Sequence, residues 1–206
     1  MNKETTIYTV GHSTHPIERF VELLQTAGIT AIADVRSQPF SKYNPQFNRD
    51  ALAEVLRNNN IAYVFVGKEL GARSDDPTCY VQGQVQYGRL AKTAVFKAGL
   101  NRVMTGAQKY KIALMCAEKE PLECHRTLLV GRALYDQGTN VVHIHANGSI
   151  EPYNDAMIRL FGITGVPRED LFRSFEELQK EALMRQEQRV AYIDEKQAID
   201  AIGKIV

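Results

Sequence analysis

Residues 111–126 read K-I-A-L-M-C-A-E-K-E-P-L-E-C-H-R, and this stretch decides the fold class. The apolar run at 111–116 predicts a buried strand, because short apolar runs bounded by polar residues are typical of strands inside a sheet. Pro121 suits the first turn of a helix, where the N–H group that proline lacks has no partner to lose. A strand followed directly by a helix is typical of α/β proteins.

The same alternation extends in both directions from this stretch. Further strands are predicted at 7–10, 29–35, 61–66 and 141–144. Helical patterns lie between them and after the last strand, and one of these predicts a single helix over 87–104. We therefore predict an α/β fold with a mostly parallel five-stranded sheet and helices on both faces. Right-handed crossovers would bring the carboxyl ends of the strands to one edge, where such sheets bind ligands.

The composition changes at about residue 166, after which Glu, Gln, Arg and Lys dominate. Apolar residues such as Leu171, Phe172, Leu178 and Leu183 recur there at helical spacing. We predict an α/β domain over 1–165 and a charged helical extension over 166–206. The extension either packs on its own domain or forms a homodimer or partner contact, and the sequence leaves these alternatives open.

The bulk composition excludes some functional classes. The 206 residues carry a net charge of +1, so no overall positive field attracts the chain to nucleic acid or anionic membranes. No apolar run approaches the roughly 20 residues of a membrane span, and the first residues have no signal-peptide pattern. Three cysteines are too few for a disulfide framework. We expect a cytoplasmic protein with reduced thiols and no membrane partner.

The strongest chemical cluster follows the 111–116 strand. Cys124, His125 and Arg126 fall at the predicted helix start, where the dipole and free N–H groups favour anions. There Cys124 is a candidate thiolate, while Arg126 and His125 are candidate ligands for an anionic substrate. Glu118 is a candidate general acid or base. Cys116 is interpreted as a small core residue, with a redox pair of Cys116 and Cys124 as an alternative hypothesis.

Two other strand ends are expected at the same edge. His12 is a candidate catalytic residue and Ser13 a candidate substrate ligand, although Ser13 alternatively caps the next helix. Asp34 is a candidate acid or base and Arg36 a candidate anion ligand. Side chains two residues apart in a strand share a face, so these two alternatively pair with each other. Ser41, in the following loop, is a further candidate substrate ligand.

A long irregular segment at 67–85 contains Gly71, a candidate substrate-binding residue because loops of this length are usually functional or mobile. No metal site is predicted, since Cys116, Cys124 and His125 form a C-x7-C-H pattern rather than a usual zinc spacing. No cofactor is predicted either, because the chain lacks a dinucleotide-binding fingerprint.

Three stretches together resemble the domain-of-unknown-function 488 family of small prokaryotic proteins. They are T-V-G-H-S at 9–13, D-V-R-S-Q-P-F-S at 34–41 and C-A-E-K-E-P-L-E-C-H-R at 116–126, and the third is the specific one. The resemblance runs from about residue 7 to about residue 145. The family often has Leu-Gly-Gly where this chain has Leu70, Gly71 and Ala72. The resemblance implies a compact α/β fold with these loops around one pocket, and it supplies no reaction.

The residues themselves predict an enzyme, either a hydrolase or a transferase. Its expected substrate is an anionic small molecule, nucleotide-like or nucleic-acid-derived, because the candidate ligands at the edge include two arginines. The alternative is a non-catalytic regulatory module that binds a ligand or nucleic acid. Salt-sensitive binding to single-stranded nucleic acid without turnover would favour that alternative.

Overall fold

A six-stranded sheet runs through the computed structural model, which describes residues 5–195, 197 and 198. The strands are β1 (Thr6–Gly11), β2 (Ala31–Asp34), β3 (Ala62–Phe65), β4 (Tyr80–Val81), β5 (Gln84–Val85), β6 (Ile112–Cys116), β7 (Asn140–Ile144) and β8 (Ile150–Pro152). The order in the main sheet is β3-β2-β6-β1-β7-β8, and β4 and β5 form a separate two-stranded ribbon. The five predicted strands are all present and parallel, while β8 adds a sixth, antiparallel strand at one edge.

Helices of very different lengths connect the strands. They are α1 (Ile17–Thr26), α2 (Arg49–Asn58), α3 (Gly67–Leu70), α4 (Tyr87–Leu90), α5 (Ala94–Gly106), α6 (Arg132–Tyr135), α7 (Tyr153–Thr164) and α8 (Phe175–Val190). Short 3-10 turns lie at Pro45–Phe47, Pro77–Cys79 and Pro121–Glu123, and a π-helical segment spans Arg126–Gly131. Within the described residues, no helix combines the length and apolarity that crossing a bilayer requires.

The two faces of the sheet carry separate hydrophobic clusters. On one face, Phe20 and Leu24 of α1 belong to the same cluster as Leu52 of α2 and Ile32 of β2. On the other face, residues of α5, α7 and α8 pack against Leu114 of β6. Neighbouring strand residues enter opposite clusters because side chains alternate along a strand. The predicted helices on both faces are confirmed.

The C-terminal extension packs against the α/β core. A capping box of Ser174 and Glu177 begins α8, and the buried face of this helix includes Leu178 and Leu183. The side chain of Gln186 donates a hydrogen bond to the carbonyl of Leu122 at 2.7 Å. Leu171 and Phe172, which share the helical spacing, lie before this helix and are 94% and 92% exposed. The predicted extension at 196 and 199–206 lies outside the described residues.

The strand order brings three candidate loops together. Strand β6 lies between β1 and β2, with Gly11 opposite Cys116 and Asp34 opposite Met115 in the register. The chain leaving β1 is tied to the chain leaving β6, because the amide of His12 donates to the carbonyl of Cys116 at 2.9 Å. The carboxyl ends of β1, β2 and β6 therefore form one edge, as the alternation of strands and helices predicts.

Candidate functional site

The loop after β6 does not form the single helix that Pro121 suggests. A 3-10 turn at Pro121–Glu123 comes first, and Cys124 then adopts an extended backbone with φ −137° and ψ 141°. The carbonyl of Cys124 accepts a hydrogen bond from the amide of Leu128 at 3.1 Å, so a helical segment starts after this residue. Cys124 therefore stands at the position that caps a helix N-terminus.

The sulfur of Cys124 acts as a helix cap and contacts a carboxyl group. The amide of Arg126 donates to Sγ of Cys124 at 3.4 Å, and Sγ lies 2.9 Å from Oε2 of Glu118. Burial acts to raise the pKa of Cys124, but a hydrogen bond with Cys116 and the charges of Arg126 and His125 outweigh it, so the pKa is well below its ordinary value. The structure thus favours a thiolate at Cys124.

Glu118 shifts in the opposite direction. Burial of its carboxyl group and the negative charge on Cys124 raise the pKa of Glu118, although the residue as a whole is exposed at the protein surface. The two groups share a contact, and their environments push their pKa values apart. Such a pair is typical of sites that transfer protons, because one member holds a proton while the other is ionised.

His125 and Cys116 complete this cluster. Nε2 of His125 lies 2.9 Å from the carbonyl of Val35, so its other ring nitrogen, Nδ1, faces the two sulfurs. Nδ1 lies 3.6 Å from Sγ of Cys116 and 3.9 Å from Sγ of Cys124. Burial and the neighbouring Cys124 raise the pKa of Cys116, so its sulfur keeps its proton. We call Cys116, Glu118, Cys124 and His125 the thiol cluster.

Arg126 holds the loop in place from inside the protein. Its side chain is fully buried, and its guanidinium group donates to the carbonyls of Glu118 at 2.6 Å and Lys119 at 3.2 Å. Gly11 leaves room for this arrangement, since a Cβ there would lie 1.9 Å from the Glu118 carbonyl oxygen. Arg126 therefore positions Glu118, and the structure does not place it as a clamp for a substrate anion.

His12, Asp34, Arg36 and Tyr63 form a second group, which we call the buried network. Arg36 donates to both carboxylate oxygens of Asp34, at 2.9 and 2.6 Å, and Tyr63 donates to Oδ2 at 2.7 Å. Nη1 of Arg36 lies 3.2 Å from Nε2 of His12, whose Nδ1 lies 2.8 Å from the carbonyl of Ser13. These contacts agree with the ion-pair alternative for Asp34 and Arg36, and they leave His12 and Asp34 outside the cavity wall.

His12 is held in its neutral form within this network. Burial lowers its pKa to about 4, and its ring stacks on Phe47 with 4.3 Å between ring centroids. A neutral imidazole accepts a hydrogen bond from Arg36 at one nitrogen and donates to the Ser13 carbonyl at the other. This geometry gives His12 a positioning role toward Arg36.

The remaining predicted ligands stabilise loops. The amide of Ser13 donates to the carbonyl of Ala117 at 2.9 Å, and the hydroxyl of Ser41 accepts from the amides that follow it. Gly71 permits close packing, because a Cβ there would lie 2.4 Å from both the Gly67 carbonyl oxygen and Oγ of Ser37. None of Ser13, Ser41 and Gly71 lines the cavity beside the thiol cluster.

A surface cavity of about 330 Å³ opens directly onto the thiol cluster. Arg36 is the one residue of the buried network that lines it. Other wall residues come from five parts of the chain and were not among the predicted site residues: Phe40, Arg73, Tyr87, Glu123, Val190 and Tyr192. A larger cavity, of about 600 Å³, lies between α4 and α8, but the thiol cluster is not part of its wall.

Arg73 and Tyr192 form the rim of the cavity. The Arg73 guanidinium carbon lies 4.3 Å from the centroid of the Tyr192 ring, which is a cation–π contact. Arg73 follows Leu70, Gly71 and Ala72 in the irregular segment, so loop length was the available signal for it. Tyr192 follows α8 within the extension, and nothing in its local sequence indicates that it lies at the cavity.

Tyr87 lies between the two cavities and is nearly inaccessible. Burial, followed by the negative charge at Cys124, raises the pKa of its phenol above the ordinary range. Its ring and hydroxyl therefore form a neutral wall beside the thiol cluster. Sequence reasoning placed Tyr87 only as a helix start.

A comparison with protein families identifies a relationship for most of the central chain. A family described as "Domain of unknown function DUF488" matches residues 16–133, which is more than half of the 206 residues. The D-V-R-S-Q-P-F-S and C-A-E-K-E-P-L-E-C-H-R stretches lie inside the matched region, whereas T-V-G-H-S at 9–13 precedes it. No curated protein matches the chain. The chain therefore belongs to the DUF488 family.

Proposed function

We propose that this protein is an enzyme of the hydrolase or transferase class that acts on an anionic substrate in the cavity beside the thiol cluster. The observation behind the proposal is the 2.9 Å contact between Sγ of Cys124 and Oε2 of Glu118, at the floor of an open cavity. A purely structural pair has no need of solvent access, and the opposite pKa shifts of these groups suit proton transfer.

Glu118 and Cys124 have complementary roles in this proposal. The raised pKa of Glu118 makes its carboxyl group a stronger base than an ordinary glutamate, which suits a group that takes and returns a proton. The sulfur of Cys124 is the electron-rich partner, because Cys116 and the amide of Arg126 both hydrogen-bond it. Arg126 fixes the loop backbone, and the buried network fixes Arg36 in the cavity wall.

The residues that line the cavity support an anionic, nucleotide-like or nucleic-acid-derived substrate. Arg73 brings an exposed positive charge to the cavity, and Arg36, already paired with Asp34, lines the wall near the carboxyl groups of Glu118 and Glu123. Phe40 is 66% exposed, and with Tyr192 it offers aromatic rings for stacking on a base. The cavity volume of about 330 Å³ is at the small end of ligand sites, which favours a mononucleotide or a strand end over a duplex.

The test is a product assay with matched variants. The purified chain is incubated with nucleoside mono-, di- and triphosphates and short single-stranded oligonucleotides, and products are identified by mass spectrometry. Glu118→Gln and Cys124→Ala should each lower any observed activity by at least about 100-fold, because each removes a group that acts on the reacting atoms. Cys79→Ala is the control, since Cys79 is a buried free cysteine outside the cavity wall.

Two outcomes would contradict the proposal. Retention of full activity in both site variants would remove the thiol cluster from the chemistry. Salt-sensitive binding of an oligonucleotide with no product from any substrate would favour the non-catalytic binding module instead.

A further inference from the structure

The thiol cluster has the composition and spacing of a transition-metal site. The ligand atoms of its four residues (two sulfurs, one imidazole nitrogen and one carboxylate oxygen) all lie within 4.8 Å of one another. Cys116, Cys124 and His125 are buried, and Glu118 comes from the exposed loop. Cysteine sulfur and histidine nitrogen are the ligands that zinc prefers in proteins.

The distances from the His125 ring to the two sulfurs are close to those of a tetrahedral site. Zinc lies about 2.3 Å from sulfur and about 2.0–2.1 Å from nitrogen, so a tetrahedral sulfur–nitrogen edge measures about 3.6 Å. The observed separations from Nδ1 of His125 are 3.6 Å to Sγ of Cys116 and 3.9 Å to Sγ of Cys124. Both sulfur–nitrogen separations therefore lie close to the edge of a tetrahedral site, and the two sulfurs lie within 4.8 Å of each other.

The orientation of His125 supports a ligand role independently of these distances. Nε2 of the ring lies 2.9 Å from the carbonyl of Val35, which fixes the proton on Nε2 and aims the Nδ1 lone pair at the two sulfurs. Metal-bound histidines almost always donate their other N–H to a carbonyl, a carboxylate or water. Val35 directly follows β2, so the backbone next to the sheet sets this orientation.

The C-x7-C-H spacing in the sequence argued against a zinc site. In the folded protein, however, the ligand atoms are as close together as those of a usual zinc motif. The π-helical start after Cys124 and the turn at Pro121–Glu123 bring the second sulfur back over the end of β6. A local C-x-x-C pair achieves the same approach within one turn, whereas here a folded loop of seven residues does so.

We propose that Cys116, Cys124 and His125 bind a divalent transition-metal ion, zinc by their chemistry, and that Glu118 faces a fourth position open to the cavity. Thiolate and imidazole ligands in a tetrahedral arrangement select zinc among the common divalent ions. Three protein ligands with one open position are typical of catalytic rather than structural zinc sites.

The catalytic part of this inference rests on the proposed function and specifies it as hydrolysis. A water molecule on the ion gives one proton to Glu118, and its oxygen forms the new bond to the electrophilic atom of the substrate. The bond to the leaving group breaks, and that group takes the proton from Glu118. In this scheme the sulfur of Cys124 holds the ion and does not attack the substrate.

The closing experiment measures the ion directly. The full chain is reduced, stripped with a chelator and titrated with Zn²⁺ against a chromophoric chelator, and separately with Co²⁺. We expect a single ion per chain and, with Co²⁺, a thiolate-to-metal charge-transfer band with the strong visible bands of a tetrahedral site. Cys116→Ala and Cys124→Ala should each weaken Zn²⁺ binding by at least about 100-fold, while Cys79→Ala and Glu118→Gln should bind as the parent chain does.

Thiol protection keeps the test valid if a variant fails to fold. In the parent chain, Zn²⁺ should protect Cys116 and Cys124 from alkylation and leave Cys79 unchanged, as read by peptide mass spectrometry. Absence of protection, or formation of a Cys116–Cys124 disulfide without metal uptake by the reduced chain, would overturn the metal site. Loss of Zn²⁺ from Glu118→Gln would overturn the open fourth position.

The two proposals fail in different ways. Product formation by the stripped, metal-free chain at the parent rate overturns the catalytic role of the ion and leaves the proposed enzyme intact. Stoichiometric zinc binding with no product from any substrate overturns the proposed function and supports the metal site.

Discussion

The buried network and the thiol cluster lie side by side at one edge of the sheet, but the polar groups in the two regions are paired differently. In the buried network, the Asp34 carboxylate accepts from Arg36 and Tyr63, and His12 is partnered at both ring nitrogens. In the thiol cluster, acidic groups contact each other beside a cavity. A satisfied set of polar groups stabilises the fold, whereas groups that compete for protons are available for chemistry.

The histidines of the two regions show the same contrast. Burial lowers the pKa of His12 to about 4, and the nearby charge of Arg36 acts in the same direction. Burial also acts to lower the pKa of His125, but the hydrogen bond with Cys124 and the negative charge of that residue outweigh burial and raise the pKa. The pKa of the same residue type is therefore lowered in the buried network and raised in the thiol cluster.

The largest expected effect is on the buried network. Asp34→Ala should lower the free energy of unfolding by about 3–5 kcal/mol, because it leaves the Arg36 guanidinium buried without its counter-charge. Urea unfolding followed by circular dichroism measures the change. Tyr63→Phe, which removes one hydrogen bond to the same carboxylate, should cost about 1 kcal/mol. Equal, small losses in both variants would show that the network is not needed for stability.

Acid should weaken the buried network through His12. The folded pKa of about 4 lies below the ordinary value of 6.5, so the unfolded chain binds the proton more readily. The stabilisation is present above about pH 6.5 and is lost as the pH falls toward about 4. Between about pH 7 and pH 5, this single group should cost about 2 kcal/mol of unfolding free energy.

His12→Gln isolates that contribution, since a glutamine oxygen still accepts from Arg36 but does not titrate. The variant should lose less stability than the parent chain over the same pH interval. Equal pH slopes for the two proteins would contradict the neutral, buried state of His12.

A moderate effect is expected at the cavity rim. Arg73→Ala should raise KM for an anionic substrate by about threefold to tenfold with kcat unchanged, because an exposed charge contributes roughly 1 kcal/mol to binding. Arg57→Ala, which removes an exposed charge on α2 away from the cavity, is the control for net charge. A fall in kcat without a change in KM would place Arg73 in the chemistry instead.

The smallest expected effect is the change in the unfolding free energy of the protein when Glu118 of the thiol cluster is substituted. Glu118→Gln should change the free energy of unfolding by less than about 1 kcal/mol, because burial already disfavours the ionised carboxylate in the folded state. Chemical denaturation at neutral pH checks this value. A loss comparable to that of Asp34→Ala would show that Glu118 is a structural residue like Asp34.

Much of the fold could be predicted from local patterns. Short apolar runs and helical spacing gave all five parallel strands and the helices on both faces. The antiparallel strand β8 escaped prediction because its three residues, two of them exposed, carry no strand pattern. The helix predicted from Tyr87 is interrupted, since the Thr93 hydroxyl accepts from the Phe96 amide and caps a new helix, α5.

The candidate site could be predicted only in outline. Residues at the ends of β1, β2 and β6 do meet, as the edge argument expects. The individual roles of these residues could not be predicted from the sequence, because each role depends on a hydrogen-bond partner that is distant in the chain. Arg126 illustrates this point: its charge suggested an anion ligand, while the fold directs its guanidinium to the loop carbonyls of Glu118 and Lys119.

The sequence by itself determined the alternation of strands and helices, the edge at which they end and the residue types gathered there, since hydrophobic periodicity and turn chemistry are local properties. Only the tertiary structure decided which polar groups are satisfied and which remain open. The strand order β2-β6-β1 sets the distances between loops, and the packing of α8 brings Val190 at its end, and Tyr192 just after it, to the cavity. Hydrogen bonding and pKa depend on distances of a few ångströms, and only the packed fold fixes those distances.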